Sequence, residues 1–355
     1  MRARPLPSGR AKRFSPLLAT LVLGATACAE YAPAEQDLAL SYDAASDVLT
    51  VTFDTRGIHA QSPRVLEPFS KGPTEEERIE RAVKALRRAG DGSPYFAPLG
   101  SPYALDLSEA LEEAEDEIAA IEDPTERAFA ERASAFVRAL EVADAGLYLD
   151  EEGEVALLQR VRLPRAQALV ALVNDAITAE VLEDRGATDE VDPQKRAMRS
   201  YAQSGEAWVV LDAEALEVRV PMEPREAAEF VRGLAGLAFE DASEDAEPWE
   251  RVAWAATGRA LFEGLDTLSM ENGVARLRYP FGDDGRIVFP FRGMRAPGEA
   301  GRLREALAAA RAEAGEEPLE ALGPDEVAAR LAPRPAVDAG PDVDTPPEEN
   351  SGGGR

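Results

Sequence analysis

The side chains best suited to nucleophilic catalysis and to transition-metal binding are scarce in this chain. Cys28 is the only cysteine and His59 the only histidine among 355 residues. A zinc site of the usual Cys/His kind therefore lacks ligands, and a Ser-His-Asp site would have to use His59 alone. His59 lies in a loop after a predicted strand, where a packed histidine is a plainer interpretation than a general base. The sequence contains no P-loop and no G-x-G-x-x-G fingerprint after a strand. We expect no metal site and no cofactor.

Carboxylates are the one catalytic group present in abundance, with 67 Asp and Glu residues. Two carboxylates held about 5–10 Å apart in a cleft can hydrolyse a glycosidic bond. Sugar clefts usually also offer stacking aromatic side chains, and aromatic residues make up only 6% of this chain. Acidic runs such as residues 112–117 are typical of a solvated helix face. The acidic turns at 150–154 and 282–285 could bind calcium loosely, but ordinary turn chemistry accounts for both.

The densest group of aromatic residues lies late in the chain. Its members are Tyr279, Phe281, Phe289 and Phe291. Pro280 and Pro290 cannot donate to a strand ladder, so at least one strand here should lie at a sheet edge. We predict that residues 279–291 form an exposed or edge hairpin and that the four aromatic residues are a candidate contact patch. Packing of these side chains in the core is the alternative.

The first 27 residues have the layout of a secretory signal peptide. Five basic residues, Arg2, Arg4, Arg10, Lys12 and Arg13, precede an apolar run from Phe14 to Ala27. This run of about 14 residues would span roughly 21 Å as a helix, which is short of a ~30 Å hydrocarbon core. A transmembrane anchor is therefore disfavoured.

The end of this segment, Ala25-Thr26-Ala27-Cys28, resembles the lipobox of bacterial lipoproteins. The resemblance implies that the Cys28 thiol is acylated and that residues 1–27 are removed. It also implies outer-membrane sorting, because Ala29 stands where an Asp would hold such a protein at the inner membrane. An unpaired cysteine favours this interpretation, since disulfides need pairs. The alternative is an ordinary signal peptide cleaved at an A-x-A site for soluble secretion.

The net charge restricts the partners. The chain carries 39 basic and 67 acidic residues, and cleavage before Cys28 would lower the net charge from −28 to −33. Such a charge repels phosphate backbones and anionic lipid surfaces and favours cationic partners. We therefore expect no nucleic-acid binding, and a membrane association that depends on the lipid anchor.

A β-hairpin followed by a helix recurs along the chain. Hairpins are predicted at residues 37–54, 147–163, 208–220 and 268–279, and the last three begin about 60 residues apart. Asn272-Gly273 is the strongest of the turn signals. Thr74 and Glu77 form a capping box that opens a helix to about Ala89. Further helices are predicted after Pro124, Pro164 and Pro224, from about 297 to 314, and from 325 to 331. The recurrence indicates either a duplicated unit or coincidence.

Strands that arrive as hairpins predict an α+β fold, with an antiparallel sheet built from repeated β-hairpins and helices packed on one face. We divide the chain into a signal peptide (1–27), a tether (28–36), an N-terminal hairpin and helical region (37–145), a repeated hairpin-helix region (146–331) and a disordered acidic tail (332–355). The tail has few apolar side chains, so we expect it to be dispensable for folding.

Three functional hypotheses follow. The first is a lipid-anchored protein of the cell envelope that binds an envelope protein or organises the envelope without catalysis. The second is a carboxylate-based hydrolase of envelope glycans, which requires two converging carboxylates in a cleft, one with a raised pKa. The third is a carrier of lipids or other apolar ligands, which requires an apolar cavity between sheet and helices.

Overall fold

The computed structural model describes residues 31–60, 74–92, 95–96, 105–106, 115, 118–183, 193–227, 258–292 and 300–331. The predicted signal peptide, the lipidation site Cys28 and the acidic tail lie outside these residues. No helix in the described ranges is both long enough and apolar enough to cross a membrane.

The strands of the described ranges form two larger antiparallel sheets and two short strand pairs. The strands are β1 (Tyr31–Ala32), β2 (Glu35–Asp43), β3 (Val48–Arg56), β4 (His59–Ala60), β5 (Tyr95–Phe96), β6 (Leu105–Asp106), β7 (Glu141–Leu149), β8 (Val155–Pro164), β9 (Val209–Leu211), β10 (Ala215–Pro221), β11 (Thr267–Glu271), β12 (Val274–Pro280) and β13 (Ile287–Phe291). The five-stranded sheet has the order β13-β2-β3-β8-β7, and the four-stranded sheet has the order β11-β12-β10-β9. Strands β1 and β4 pair with each other, as do β5 and β6.

Helices lie between and after the hairpins. Those with described bounds are α1 (Glu75–Gly90), α2 (Pro124–Arg138), α3 (Ala166–Glu183), α4 (Pro193–Ser204), α5 (Ala300–Glu313) and α6 (Pro324–Leu331). The Thr74 side chain caps α1 in the reciprocal arrangement with Glu77 that the sequence predicts. Asp123 caps α2 through the backbone N–H groups of Thr125 and Glu126. The predicted α+β fold with antiparallel hairpins is confirmed, and its strands form two larger sheets rather than a single one.

The four predicted hairpins are all present and are distributed two to a sheet. In the five-stranded sheet the second strand of one hairpin, β3, pairs with the second strand of the next, β8. In the four-stranded sheet β10 pairs with β12 in the same way. Both sheets thus contain two hairpins joined through their second strands. The recurrence in the sequence corresponds to a repeated arrangement of hairpin pairs rather than of single hairpins.

The main core lies on one face of the five-stranded sheet, which we call the inner face. At one end of this face, Leu38, Phe53 and Phe289 pack against Leu277 and Tyr279 of the four-stranded sheet. At the other end, the apolar residues of β7 and β8 pack against α1 and α5. The buried members of that cluster include Leu86, Val155, Leu157, Leu303 and Leu307. Strand alternation sends the intervening residues to the opposite, outer face.

The segment 279–291 differs from its prediction. It does not form a hairpin, because β12 and β13 belong to different sheets. Strand β12 already pairs with β10 on one side and β11 on the other. Residues 281–286 therefore cross between the sheets, and β13 pairs with the free side of β2. The expectation of an edge strand is confirmed for β13, which tolerates Pro290 because only one of its sides is paired within this sheet.

Two predicted boundaries also fall inside strands. The sequence predicts a tether over residues 28–36, but β1 pairs with β4 and β2 begins at Glu35. The Gln36 side chain is buried and donates a hydrogen bond to Thr55 Oγ1, which fixes this segment to the sheet. The division between residues 145 and 146 cuts β7, whose sheet combines strands from both proposed regions.

Candidate functional site

A pocket of about 460 Å³ lies on the outer face of the five-stranded sheet, beside α6. Its lining comes from β2, β3, the β7–β8 turn and α6. The lining residues are Ala34, Glu35, Asp37, Asp54, Arg56, Gly57, Tyr148, Asp150, Glu151, Glu152, Glu154, Leu322, Pro324, Val327 and Ala328. Seven of them are carboxylates and one, Arg56, is a cation.

Strand alternation places two of the carboxylates side by side. Asp37 on β2 lies directly opposite Asp54 on β3. Their neighbours Leu38 and Phe53 also oppose each other and point into the core. Because successive side chains point to opposite faces of a sheet, burial of this apolar pair directs both aspartates to the outer face.

Asp54 is the most deeply buried carboxylate of the pocket, with 3% of its surface exposed. It accepts a hydrogen bond from the hydroxyl of Tyr148, which reaches across β8 from β7. Burial raises the pKa of Asp54, although the Tyr148 hydrogen bond and the Arg56 charge oppose that rise. The pKa of Tyr148 is also raised, first by burial and then by the charge of Asp54.

Two guanidinium groups neutralise part of the negative charge of the pocket carboxylates. Arg56 Nη2 lies 2.6 Å from Asp37 Oδ2, and Arg56 Nε lies 3.6 Å from Asp54 Oδ2. Arg292, which follows β13, places Nη2 2.6 Å from Asp37 Oδ1 and Nε 3.6 Å from Glu35. Each carboxylate oxygen of Asp37 is thus in an ion pair.

The β7–β8 turn supplies the acidic rim. Asp150 is buried, and its side chain accepts hydrogen bonds from the backbone N–H groups of Gly57 (3.3 Å) and Glu154 (2.8 Å). Gly57 has a φ of +60°, and a Cβ there would lie 2.8 Å from the Cβ of Ala34. This close approach requires glycine. The turn is therefore fixed to β3, and it presents the exposed Glu151 and Glu152 at the mouth of the pocket.

The opposite wall is apolar and comes from the C-terminal segment. Leu322 and Val327 pack against Tyr148, Ala156 and Leu158 of the outer face. The wall has no charged group among the pocket-lining residues that it contributes, which are Leu322, Pro324, Val327 and Ala328. The pocket therefore combines a carboxylate wall with an aliphatic wall.

This combination suits an organic cation better than a metal ion. Within the described ranges, no group of three or more His, Cys, Asp or Glu residues has the arrangement needed to hold a metal ion. A guanidinium or ammonium group can pair with the carboxylates while its methylene stem lies on the aliphatic wall. The acidic turn 150–154, considered above for calcium, belongs to the rim of this pocket.

The predicted contact patch has a different environment. Tyr279, Phe289 and Phe291 are buried in the main core, and Phe281 packs on it in a half-buried position. This burial conflicts with an exposed contact patch and favours the alternative, core packing. Burial also raises the pKa of Tyr279 to about 12. His59 is buried, with Nδ1 3.3 Å from the carbonyl oxygen of Gly57.

Asp37, Asp54 and Tyr148 are not identifiable as site residues from the sequence. In an alternating strand, polar residues such as Asp37 and Asp54 have the pattern of a solvated face. The available signal was the pairing of Leu38 with Phe53, which places both aspartates on one face once the hairpin is accepted. Nothing local identifies Tyr148 as a partner, because it lies 94 residues from Asp54.

The region between sheet and helices bears on the lipid-carrier hypothesis. There, Leu86, Ala85, Leu303 and Leu307 are fully buried and pack directly against β8. In the described residues this interface is a packed apolar core. A shallow groove of about 430 Å³ runs along the outside of α1 and α5, with Glu76, Glu80 and Glu305 on its borders.

Comparison of the chain with protein-family models, with curated proteins and with solved structures gives no significant match.

Proposed function

We propose that this chain is a lipid-anchored, non-enzymatic protein of the cell envelope that binds a partner protein through a basic side chain in the acidic pocket. The observation that carries the proposal is the pocket itself. It brings together seven carboxylates and one guanidinium against an aliphatic wall. Arginine and lysine side chains have the matching combination of a charged head and an apolar stem.

Electrostatics support a cationic partner at two length scales. The whole chain has a net charge of −28, which draws cations toward its surface. Within the pocket, the low exposure of Asp54 reduces screening by solvent and salt. A guanidinium is the better candidate head group because it can pair with two carboxylate oxygens at once and is weakly hydrated.

The existing ion pairs favour binding over catalysis. Both oxygens of Asp37 are held by guanidinium groups, and Asp54 accepts a hydrogen bond from Tyr148. A carboxylate nucleophile needs a free oxygen lone pair aimed at the substrate. The two guanidinium groups beside Asp37 reduce the nucleophilicity of its oxygens, so the network suits recognition of a charge more than attack on a bond.

The anchor rests on the sequence around Cys28, and mass spectrometry of the mature N-terminus tests it. We expect a diacylglyceryl adduct on Cys28 and loss of residues 1–27. Cys28→Ser should release the protein from membranes, because an acidic chain has no other affinity for an anionic surface. An unmodified Cys28 in membrane-bound protein would contradict the anchor, as would retention of residues 1–27.

The binding proposal is tested with a labelled Gly/Ser peptide carrying one arginine and a matched peptide carrying neutral citrulline. Fluorescence anisotropy of the mature Cys28→Ser chain should show binding of the arginine peptide alone, weakening as salt rises. Glu151→Gln with Glu152→Gln should weaken binding about fivefold, or ~1 kcal/mol. Glu131→Gln with Glu180→Gln removes the same charge from exposed positions on α2 and α3. An equal loss of affinity in this control pair would show that binding reflects general electrostatic attraction rather than the pocket.

One observation also favours the hydrolase. Asp54 has a raised pKa and lies opposite a second carboxylate in a pocket, as a general acid would. Incubation of the mature chain with purified envelope glycans, followed by a reducing-end assay, tests this alternative. Release that Asp54→Asn abolishes would establish the hydrolase. We expect no release from either form.

A further inference from the structure

The wall of the pocket formed by residues 320–331, which we call the strap, follows a segment that ion pairs hold to the helices. Just before the strap, Glu316 pairs with Arg87 of α1 and with Arg311 of α5, the latter at 3.0 Å. Arg311 also donates two hydrogen bonds to the carbonyl oxygen of Glu317, at 3.0 and 2.8 Å. The chain is thus held to the helices immediately before it reaches the sheet.

Beyond this anchor, the strap is docked by few contacts. The Leu149 N–H donates to the carbonyl oxygen of Glu320 at 2.8 Å, and the Leu322 N–H donates to the carbonyl oxygen of Leu149 at 3.0 Å. This pairing forms a single parallel bridge between Leu149 and Ala321. Leu322 and Val327 pack on the outer face, and Arg160 donates to the carbonyl oxygen of Arg330 near the end of α6.

The described contacts that dock the strap are fewer than those that hold β8, which is typical of elements that open locally. Among the described residues, two backbone hydrogen bonds, two apolar side chains and the Arg160 hydrogen bond hold the strap, whereas β8 is paired along its length on both sides. Segments with few buried apolar contacts exchange their amide protons through low-energy local opening. The anchor at Glu316 and Glu317 keeps the opened strap close to the pocket.

We infer that the strap closes over the pocket and that occupation of the pocket by a basic side chain holds it closed. The inference rests on the proposed function, since it concerns the same site. A side chain in the pocket would contact the carboxylates of β2, β3 and the β7–β8 turn on one side. On the other side it would contact Leu322, Val327 and Ala328 of the strap. A ligand that makes these contacts only in the docked state must shift the strap toward docking, and docking must strengthen binding by the same factor.

Hydrogen exchange of the mature chain tests the coupling. In the free protein, amides of residues 320–331 should exchange at least tenfold faster than those of β8. Saturating arginine peptide should slow exchange of the strap several-fold, while the citrulline peptide should leave it unchanged. Strap exchange as slow as that of β8 in the free protein would overturn the inference.

A disulfide between the bridge partners tests the reciprocal effect. Neighbouring strands lie within the Cα separation that a disulfide spans. In a Cys28→Ser background, Leu149→Cys with Ala321→Cys should bind the arginine peptide more tightly when oxidised than when reduced.

Removal of the strap is a second test. A chain ending at Pro318 should bind the arginine peptide at least fivefold more weakly than a chain ending at Leu331. Thermal melts of both chains establish that they are folded.

The outcomes separate the two proposals. One outcome is that Glu151→Gln with Glu152→Gln weakens arginine binding, while oxidation of the disulfide leaves the affinity unchanged and the peptide leaves exchange of the strap unchanged. In that case the pocket proposal stands and the strap coupling is wrong. If the arginine and citrulline peptides bind equally, the proposed function fails and the coupling fails with it.

Discussion

The hydroxyl of Tyr148 donates a hydrogen bond to Asp54 across an intervening strand, linking β7 to β3 beneath the pocket. Both residues are almost fully buried. This bond gives the least exposed carboxylate of the pocket a polar partner in an environment that would otherwise disfavour its charge. It connects the stability of the sheet to the electrostatics of the site.

Tyr148→Phe removes this donor and leaves a buried carboxylate short of a partner. We expect a loss of about 1–3 kcal/mol in the free energy of unfolding at pH 7, measured by urea titration. The pKa of Asp54 should rise further, because the Tyr148 hydrogen bond lowers it. Tyr42→Phe is the control, since Tyr42 also donates to an aspartate, Asp47 at 3.1 Å, but in a half-buried position. A loss no larger than that of the control would contradict the role assigned to Tyr148.

Asp54→Asn should alter the pH dependence of stability in a defined direction. Because burial raises the folded-state pKa of Asp54 above its ordinary value of 3.8, the folded state binds this proton more tightly than the unfolded state does. Stability from this group is therefore present at low pH and is lost as the pH rises through the folded-state pKa. The unfolding free energy of Asp54→Asn, relative to the parent, should increase between pH 4 and pH 7.

Asp43→Asn provides the opposite sign. A hydrogen bond from Ser46 lowers the pKa of exposed Asp43. Its ionised form therefore favours folding above pH 3.8, and this contribution is lost as the pH falls. Relative to the parent, Asp43→Asn should lose stability as the pH rises toward 3.8 from below, and the difference should stay nearly constant between pH 4 and pH 7. If the unfolding free energies of the two variants, relative to the parent, have the same slope against pH, burial of Asp54 does not control its titration.

The elements that local patterns specify were predictable. Alternating apolar residues fixed the hairpins, the Thr74 capping box fixed the start of α1, and Asn272-Gly273 formed the expected turn with both residues at positive φ. Each of these features depends on residues a few positions apart. Hairpin turns determine the strand pairing within each hairpin, which is why all four hairpins were predictable.

Long-range pairing was not predictable from the same patterns. The placement of β13 beside β2 depends on contacts between residues near 289 and residues near 38. The continuity of Pro280, the acidic turn and Pro290 instead suggested a local hairpin. The pocket needed three distant segments, β2–β3, β7 and α6, to come together. Its polar residues had the same pattern as a solvated strand face.

Asn174 of α3 should be unusually important for stability. Its Oδ1 accepts hydrogen bonds from the backbone N–H groups of Trp208 (2.7 Å) and Val209 (2.8 Å), and its Nδ2 donates to the carbonyl oxygen of Val209 at 2.9 Å. This amide satisfies backbone groups on the outer side of β9, the edge strand of its sheet. Asn174→Ala should lower the unfolding free energy by about 2–3 kcal/mol.

The adjacent Asp175 is the matched control for this position. It forms an exposed ion pair with Arg132 at 3.4 Å, so Asp175→Ala should change stability by less than ~1 kcal/mol. We also expect Asn174→Ala to increase self-association, measured by light scattering, because it uncovers a strand edge. Similar stability for the two variants would show that the amide is not needed at β9.

The aromatic residues are buried where the sequence predicts an exposed patch, and mutation tests this difference directly. Phe289 is buried and packs against Tyr279 with ring centroids 5.5 Å apart, whereas Val288 beside it is 42% exposed. Phe289→Ala should cost roughly 3–5 kcal/mol in unfolding free energy, as expected for a core phenylalanine. Val288→Ala should cost less than ~1 kcal/mol. If Phe289→Ala changes the unfolding free energy only slightly but abolishes partner binding, the contact-patch prediction is correct and core packing is wrong.

Mapping where the basic side chain binds tests most directly the claim that it occupies the acidic pocket. An arginine peptide carrying a diazirine beside the arginine can be photocrosslinked to the mature chain, and the modified residues can be mapped by mass spectrometry. We predict crosslinks concentrated on β2, the β7–β8 turn and α6, the elements that line the pocket, and absent with the citrulline peptide. Crosslinks spread over the acidic faces of α1 to α3, with no preference for the pocket, would contradict the account.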